Sequence, residues 1–158
     1  MENIEHFLIV AGKLLMAGAC GAAAGWEREL KEKGAGLRTH ILICVGACLF
    51  ALVAVRMHEQ YPGGDILRLI QGMLLGVGFI AGGVIFTQRG SVRGLTTAAG
   101  LWVLTGVGMA VGLGYYFLAI FGTVLTTAVV AWMKQIEGII HHPPGPDQTP
   151  GKPPEPQG

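Results

Sequence analysis

Charged residues are scarce in this chain of 158 residues. Asp, Glu, Lys and Arg together make up 13% of it, whereas 51% is apolar. A soluble globule of this size needs a larger charged fraction to cover its surface. The net charge of +1 offers no basic surface, so no nucleic-acid partner is expected. Abundant aliphatic residues exclude global disorder. The class that remains is an integral membrane protein, with the lipid bilayer as its first partner.

Cysteines, acidic residues and catalytic signatures are also few. The three cysteines lie in apolar runs and predict no disulfide framework. No Asp or Glu occurs between Asp65 and Glu137. The HExxH, GxSxG, CxxC and P-loop patterns are absent, and a GxGxxA match at 76–81 lies inside an apolar segment rather than after a strand. We therefore expect no enzymatic activity and no cofactor.

Five apolar stretches are long enough to cross a bilayer core of about 30 Å, which takes about 20 helical residues. They lie at residues 7–26, 37–55, 66–86, 95–113 and 115–133. The leader before the first stretch has no Lys or Arg, so we expect a retained helix rather than a signal peptide. The predicted fold is all-α, a polytopic bundle of five transmembrane helices within residues 1–142. Residues 143–158 hold seven of the eight prolines, which predicts a disordered, proline-rich cytoplasmic tail.

The distribution of Lys and Arg predicts the orientation of these spans. With the N-terminus outside, only Arg56 and Arg68 lie on the outer side. Eight cations lie on the inner side: Arg28, Lys31, Lys33, Arg38, Arg89, Arg93, Lys134 and Lys152. The prediction is therefore N-out and C-in. Lys13 falls inside the first span, near enough to its outer end to snorkel; a charge-paired pore residue is the alternative.

Small residues four positions apart mark where membrane helices pack closely. They occur in span one and, as Gly108 and Gly112, in span four. Span three carries glycines on two faces, so we expect it to lie centrally, and Gly78→Leu to disrupt assembly more than Leu74→Ala. The predicted helix-packing glycines are Gly21, Gly25, Gly72, Gly76, Gly78, Gly82 and Gly83.

Polar residues gather at three points that the predicted topology places at the cytoplasmic face. The predicted cluster comprises Glu27, Arg28, Glu29, Arg38, Thr39, Arg93, Thr96 and Thr97. One interpretation is a buried ion-pair network, because unpaired charge at a membrane helix end is costly. The other is anchoring by the arginines, with Thr96 or Thr97 capping a helix.

The segments GWERE (25–29), AGLRT (35–39), GVGFIAGGVIF (76–86) and VRGLTTAAGLW (92–102) follow one another in the order and spacing of the MgtC/SapB family of bacterial inner-membrane proteins. The chain resembles a short form of that family, without the soluble C-terminal domain that many members carry. The resemblance implies a link to magnesium homeostasis, to growth at low magnesium and to virulence. Thr96 stands where some members have Asn, and Gly100 replaces a commoner Ser or Thr.

Two functions are compatible with this resemblance. A regulator would act by contact with another membrane complex, such as the rotary ATP synthase that the resemblance implies, or by self-assembly as a homo-oligomer, a dimer being one option. The alternative is ion transport, of Mg²⁺ or of another ion. Magnesium prefers octahedral oxygen ligands that include carboxylates, and spans three to five contain no acid. We therefore expect no metal site and favour the regulator.

Overall fold

The computed structural model of the chain describes residues 2–30, 35–88 and 91–140, and the side chains of residues 4–132 within these ranges. Five helices and one short hairpin follow in chain order. They are α1 (Glu2–Leu30), α2 (Leu37–Gln60), α3 (Ile66–Gly83), β1 (Phe86–Gln88), β2 (Ser91–Arg93), α4 (Leu95–Leu113) and α5 (Tyr116–Ile140). The predicted tail at 143–158 lies outside the described residues, as do Lys31, Lys33 and Arg89.

The predicted all-α bundle is confirmed. Four helices are long and apolar enough to cross a membrane, over Ile4–Leu30, Leu37–Gln60, Ile66–Gly83 and Leu95–Leu113. The apolar part of α5 within the described side chains is shorter, at Tyr116–Trp132. Because these helices expose large apolar side chains such as Phe79 and Phe117 on their outer surfaces, lipid is the solvent that suits them. The chain is a multi-pass membrane protein.

The core of the bundle lies where α1, α2 and α4 meet. Leu101, Leu104 and Val111 of α4 are completely buried, together with Cys44 and Cys48 of α2 and Ala17 of α1. All three cysteines of the chain are free thiols. The helix α5 packs on α4 and α1, and the hydroxyl of its buried Thr123 donates to the carbonyl oxygen of Ala119, 2.8 Å away in the same helix.

Glycines allow α4 to lie directly against α2. A Cβ atom on Gly108 would collide with the carbonyl oxygen of Cys44, and one on Gly112 would approach the carbonyl oxygen of Cys48 to 2.8 Å. In both contacts the α4 residue lies 64 positions after the α2 residue. Because this offset is constant along the two helices, α2 and α4 run parallel. Because only hydrogen fits between the two backbones, Gly108 and Gly112 act in the close packing that the sequence predicts for span four.

The helix α3 is peripheral, which corrects the expectation that it lies centrally. Of its residues only Val77 and Ala81 are buried, and α3 contacts α2 and α4 along one side. A Cβ atom added to any of five α3 glycines would meet nothing within 4 Å; these are Gly72, Gly76, Gly78, Gly82 and Gly83. No described residue therefore occupies the smooth faces of α3.

The third span also ends earlier than predicted. The helix stops at Gly83, and residues 86–88 form a strand that pairs antiparallel with 91–93, Phe86 opposite Arg93. Two adjacent glycines weaken the helix end, and the β-branched and aromatic residues that follow favour a strand. Gly94 follows the second strand and precedes α4 with φ = 90°, and a Cβ atom there would collide with the carbonyl oxygen of Val84.

Candidate functional site

The polar residues predicted from the sequence come together at one end of the bundle, formed by the end of α1 and the starts of α2 and α4. We call residues 27–30, 35–40 and 93–97 the polar end. The close approach of α1 to α2 places these segments side by side. A Cβ atom on Gly21 would lie 2.6 Å from the carbonyl oxygen of His40, and one on Gly25 would lie 3.0 Å from the Cα of Leu37. Both predicted packing glycines of span one thus lie against α2.

Arg28 is the buried charge of the polar end. Its residue is 6% exposed, and its Nη2 donates a hydrogen bond to Oγ1 of Thr97, which is also buried. The Nε atom is fully covered and has no hydrogen-bond acceptor among the described residues. Glu27, its neighbour in the chain, is half-buried and attracts the guanidinium electrostatically. Arg28 therefore links α1 to the first turn of α4 through a hydroxyl.

The side chain of Glu29, which belongs to α1, caps the N-terminus of α2. Its Oε2 accepts a hydrogen bond from the backbone N–H of Leu37 at 2.9 Å. The N-cap residue Gly36 has no side chain that could accept this N–H, and a Cβ atom on it would collide with the Glu29 carboxylate. The carboxylate thus satisfies an otherwise orphan donor and lies favourably at the positive end of the helix dipole. Gly36 makes this interaction sterically feasible.

Three predicted members of the cluster face outward instead. Arg38, Arg93 and Thr96 are exposed, and Thr39 is half-buried. Among the described residues neither Arg38 nor Arg93 forms an ion pair, so the predicted ion-pair network does not extend to them. Capping by a threonine is also corrected: α4 begins after Gly94 without a side-chain cap, since the Thr97 hydroxyl accepts from Arg28.

A second cation ties α1 to α4 at the opposite end. Nζ of Lys13 donates to the carbonyl oxygen of Gly112 at 2.8 Å, one of the last carbonyl groups of α4 and hence without a helical partner. Lys13 and Arg28 are 15 residues apart on α1, as are Gly112 and Thr97 on α4. At 1.5 Å per residue both distances are about 22 Å. The two antiparallel helices are therefore joined at both ends in one register.

The acidic and thiol groups of the described residues do not assemble into a cation site. No group of three or more His, Cys, Asp and Glu side chains in the described part of the chain is placed to hold a metal ion. At the end opposite the polar end, Asp65 accepts from the N–H of Leu67 at 3.0 Å and Glu59 pairs with Arg56 at 3.2 Å. Among the described residues, Lys13 and Arg28 are the charged side chains that hydrogen-bond from α1 to α4, and both are positive.

The unoccupied side of α3 borders an apolar groove of about 540 Å³ between α2 and α3. Its α2 wall includes Gly46 and Phe50, and its α3 wall includes Gly72, Gly76 and Ile80. Gly46 resembles the α3 glycines in that an added Cβ atom would meet nothing within 4 Å. The groove thus has a backbone-lined surface that no part of the described chain fills.

The match to a family model decides the family of this chain. The MgtC family model matches residues 14–139, a range that contains the polar end, the α3 glycines and the Arg28–Thr97 contact between α1 and α4. The chain belongs to the MgtC family. This confirms the resemblance drawn from the four sequence segments.

Individual relatives agree with this assignment. The MgtC-family chain is 42% identical over 128 residues to the Escherichia coli K12 protein named "Putative magnesium transporter YhiD", covering 78% of this chain and 59% of that protein. It is 38% identical over 112 residues to "Protein MgtC" of Salmonella typhimurium, covering 71% of this chain and 47% of that protein. The chain thus spans about half the length of these relatives. No solved structure matches it.

Sequence reasoning missed one member of the polar end of this MgtC-family chain. His40 is 2% exposed, and its Nδ1 donates to the carbonyl oxygen of Gly36 at 2.9 Å. The ring packs against α1, where a Cβ atom on Gly25 would lie 2.9 Å from the Cβ of His40. A polar residue in the first turn of an otherwise apolar span, directly after Arg38 and Thr39, is the signal that points to it.

Proposed function

We propose that this MgtC-family chain is a bacterial inner-membrane regulator that acts by helix contacts with another membrane protein. The observation that supports it best is the unpartnered glycine surface of α3. Five glycines of α3 have open space at their Cβ positions, although glycine weakens a helix interior by about 1 kcal/mol relative to alanine. Small residues let membrane helices approach closely, so the surface suits a transmembrane helix of a partner.

The charged groups of the chain support contact rather than conduction. Lys13 and Arg28 are held by Gly112 and Thr97, where they join helices. A positive charge inside the bundle repels a divalent cation. In this proposal the chain has no catalytic activity and needs no bound cofactor. Its magnesium-related role, which the family resemblance implies, is exerted through the partner; the rotary ATP synthase is the candidate that resemblance suggests.

Photo-cross-linking in native membranes tests the contact surface. Phe79 of α3 and Phe117 of α5 are equally exposed, each at 85%, so a photoreactive residue at either position samples surroundings of equal accessibility. We expect Phe79 to give one discrete adduct with an integral membrane protein, identified by mass spectrometry, and Phe117 to give lipid adducts only. An adduct of twice the chain's mass would instead show self-assembly. Equal patterns from the two positions would refute a contact specific to α3.

The orientation belongs to the same proposal, N-out and C-in. It is supported by the excess of Lys and Arg on the side of the polar end. A reporter fused after Trp132 is expected to show cytoplasmic activity, and extracellular activity would contradict this orientation.

Ion transport is the second candidate, because the E. coli relative bears the name of a magnesium transporter. Purified chain in liposomes distinguishes the two functions. The regulator is expected to give no Mg²⁺ flux above that of protein-free liposomes. Saturable flux that Glu27→Gln abolishes would establish transport instead.

A further inference from the structure

The apolar groove between α2 and α3 opens onto the outer surface of the bundle. Its walls include exposed apolar side chains such as Leu42, Phe50 and Ile80. Water gains no hydrogen-bond partners in an apolar space, and an empty space loses the packing contacts of the atoms that line it. In a bilayer, hydrocarbon is therefore the material that fills this groove.

The height of the groove suits a lipid acyl chain better than a membrane-spanning helix. From Leu69 to Ile80 the α3 wall rises by about 17 Å at 1.5 Å per residue. This is roughly half of the hydrocarbon core of about 30 Å, and hence the depth of one leaflet. Gly46, Gly72 and Gly76 leave open space at their Cβ positions along these walls. One acyl chain therefore fits where a spanning helix would extend past both ends of the groove.

The two ends of the groove differ in charge. At the end far from the polar end, Arg68 directly precedes the groove residue Leu69 and is paired with Asp65 at 3.8 Å. At the other end, Arg38 lies one helical turn before the groove residue Leu42, on the same side of α2. Arg38 is exposed, and no carboxylate of the described residues forms an ion pair with it. An anion is thus favoured at the end of the groove that Arg38 borders.

The position of Arg38 in α2 places its charge at the level of lipid headgroups. It is the second residue of the helix, and side chains of a helix lean toward its N-terminus, which here is the polar end. A long side chain near a helix end extends its charged group out of the hydrocarbon. A guanidinium then offers paired donors that match two oxygens of a phosphate.

We propose that the groove binds one anionic phospholipid, with an acyl chain between α2 and α3 and the phosphate at Arg38. Acyl chains alone do not make such a site selective, because all of them are as apolar as the groove; the selectivity lies in the headgroup. The proposal does not rest on the regulatory function. Neither Gly78 nor Phe79 lines the groove, so both remain available to a partner helix, while Gly76 borders the two surfaces.

Native mass spectrometry of the purified full chain in a neutral detergent tests the lipid preference. Phosphatidylglycerol is titrated against phosphatidylcholine with the same acyl chains, whose choline cancels the phosphate charge. We expect one phosphatidylglycerol per chain, bound about fivefold more tightly than phosphatidylcholine, which is the contribution of one Lys or Arg beside an anionic lipid. This comparison needs no variant. Equal affinity for the two lipids overturns the proposal.

Arg38→Gln tests the headgroup contact, because it removes the charge at an exposed position and leaves the groove intact. We expect this variant to bind the two lipids equally. The matched change Arg68→Gln removes a cation at the other end of the groove, where Asp65 already pairs with it, and should keep the wild-type preference. A preference that persists in Arg38→Gln, or that is lost only in Arg68→Gln, would contradict a phosphate at Arg38.

Gly46→Leu tests the acyl-chain contact from the α2 wall, so its outcome is separate from partner contact through α3. The added side chain has open space on its own helix but enters the groove. We expect the affinity for both lipids to fall about tenfold, which corresponds to the loss of roughly ten carbon–carbon contacts. Gly12→Leu, at an equally open position of α1 outside the groove, should bind like wild type. Wild-type affinity in Gly46→Leu would exclude the groove as the lipid site.

Discussion

At the scale of single residues, the buried guanidinium of Arg28 depends on a neutral hydroxyl. A charge inside a membrane bundle is tolerated when its donors are satisfied, and Thr97 satisfies one of them. The sequence indicated that Arg28, Glu29 and Thr97 share one end of the bundle, because the topology brings these segments together. It did not indicate that Arg28 selects Thr97, because pairing depends on which face of α4 turns toward α1.

Removing this acceptor should destabilise the fold. In Thr97→Val the shape of the side chain is nearly kept, but a buried donor of Arg28 loses its partner. We expect the free energy of unfolding to fall by about 1–3 kcal/mol, measured by denaturant titration in detergent. The matched change Thr96→Val, at an exposed position of the same turn, should remain within about 0.5 kcal/mol of wild type. Equal losses in both variants would exclude a role for the Arg28 contact.

Alanine substitutions at two glycines of α4 should change the free energy of unfolding in opposite directions. Gly108→Ala forces a methyl group onto the Cys44 carbonyl and to within 2.9 Å of the Cβ of Ala47, so we expect a loss of about 1–3 kcal/mol from overpacking. Gly106 has nothing within 4 Å of its Cβ position, so Gly106→Ala should gain up to about 1 kcal/mol from helix propensity. Thermal unfolding of the two variants measures both, and a gain in Gly108→Ala would disprove the close α2–α4 approach.

At the scale of elements, hydrophobic length located the helices well. The predicted fourth span, 95–113, coincides with α4 (Leu95–Leu113). A polar run at 87–93 and Gly94 precede it, and Gly114 follows it. Glycine spacing correctly predicted close helix packing at Gly21, Gly25, Gly108 and Gly112. It wrongly predicted a central position for α3. A smooth face shows that something can approach a helix; it does not show whether the neighbour belongs to the same chain.

The stability of the chain should therefore respond less to α3 glycines than the sequence suggested. Gly78 faces open space, so Gly78→Leu is expected to leave the melting temperature of the purified chain unchanged. Leu74 is half-buried, and Leu74→Ala should cost about 1–2 kcal/mol, the loss of part of a buried side chain. This order reverses the expectation from the glycine pattern. Greater unfolding in Gly78→Leu would restore a central α3.

At the scale of the whole molecule, composition alone established a membrane protein, and helix lengths established an α-helical bundle. The joining of α1 to α4 at both ends could not be derived in this way. It depends on the matched distances from Lys13 to Arg28 and from Thr97 to Gly112, which acquire meaning only once the two helices are adjacent. The result is a bundle of α1, α2 and α4 that presents α3 at its side.

The yield of the Phe79 cross-link is the most direct measure of contact between α3 and a partner protein. Gly76→Leu should fill part of the apolar groove, while Gly12→Leu adds the same side chain to α1 at a position with equally open surroundings. With both variants present at wild-type abundance, we predict that Gly76→Leu lowers the yield of the Phe79 adduct at least tenfold and Gly12→Leu leaves it unchanged. An undiminished yield of the Phe79 adduct in Gly76→Leu would contradict partner contact through the glycine surface of α3.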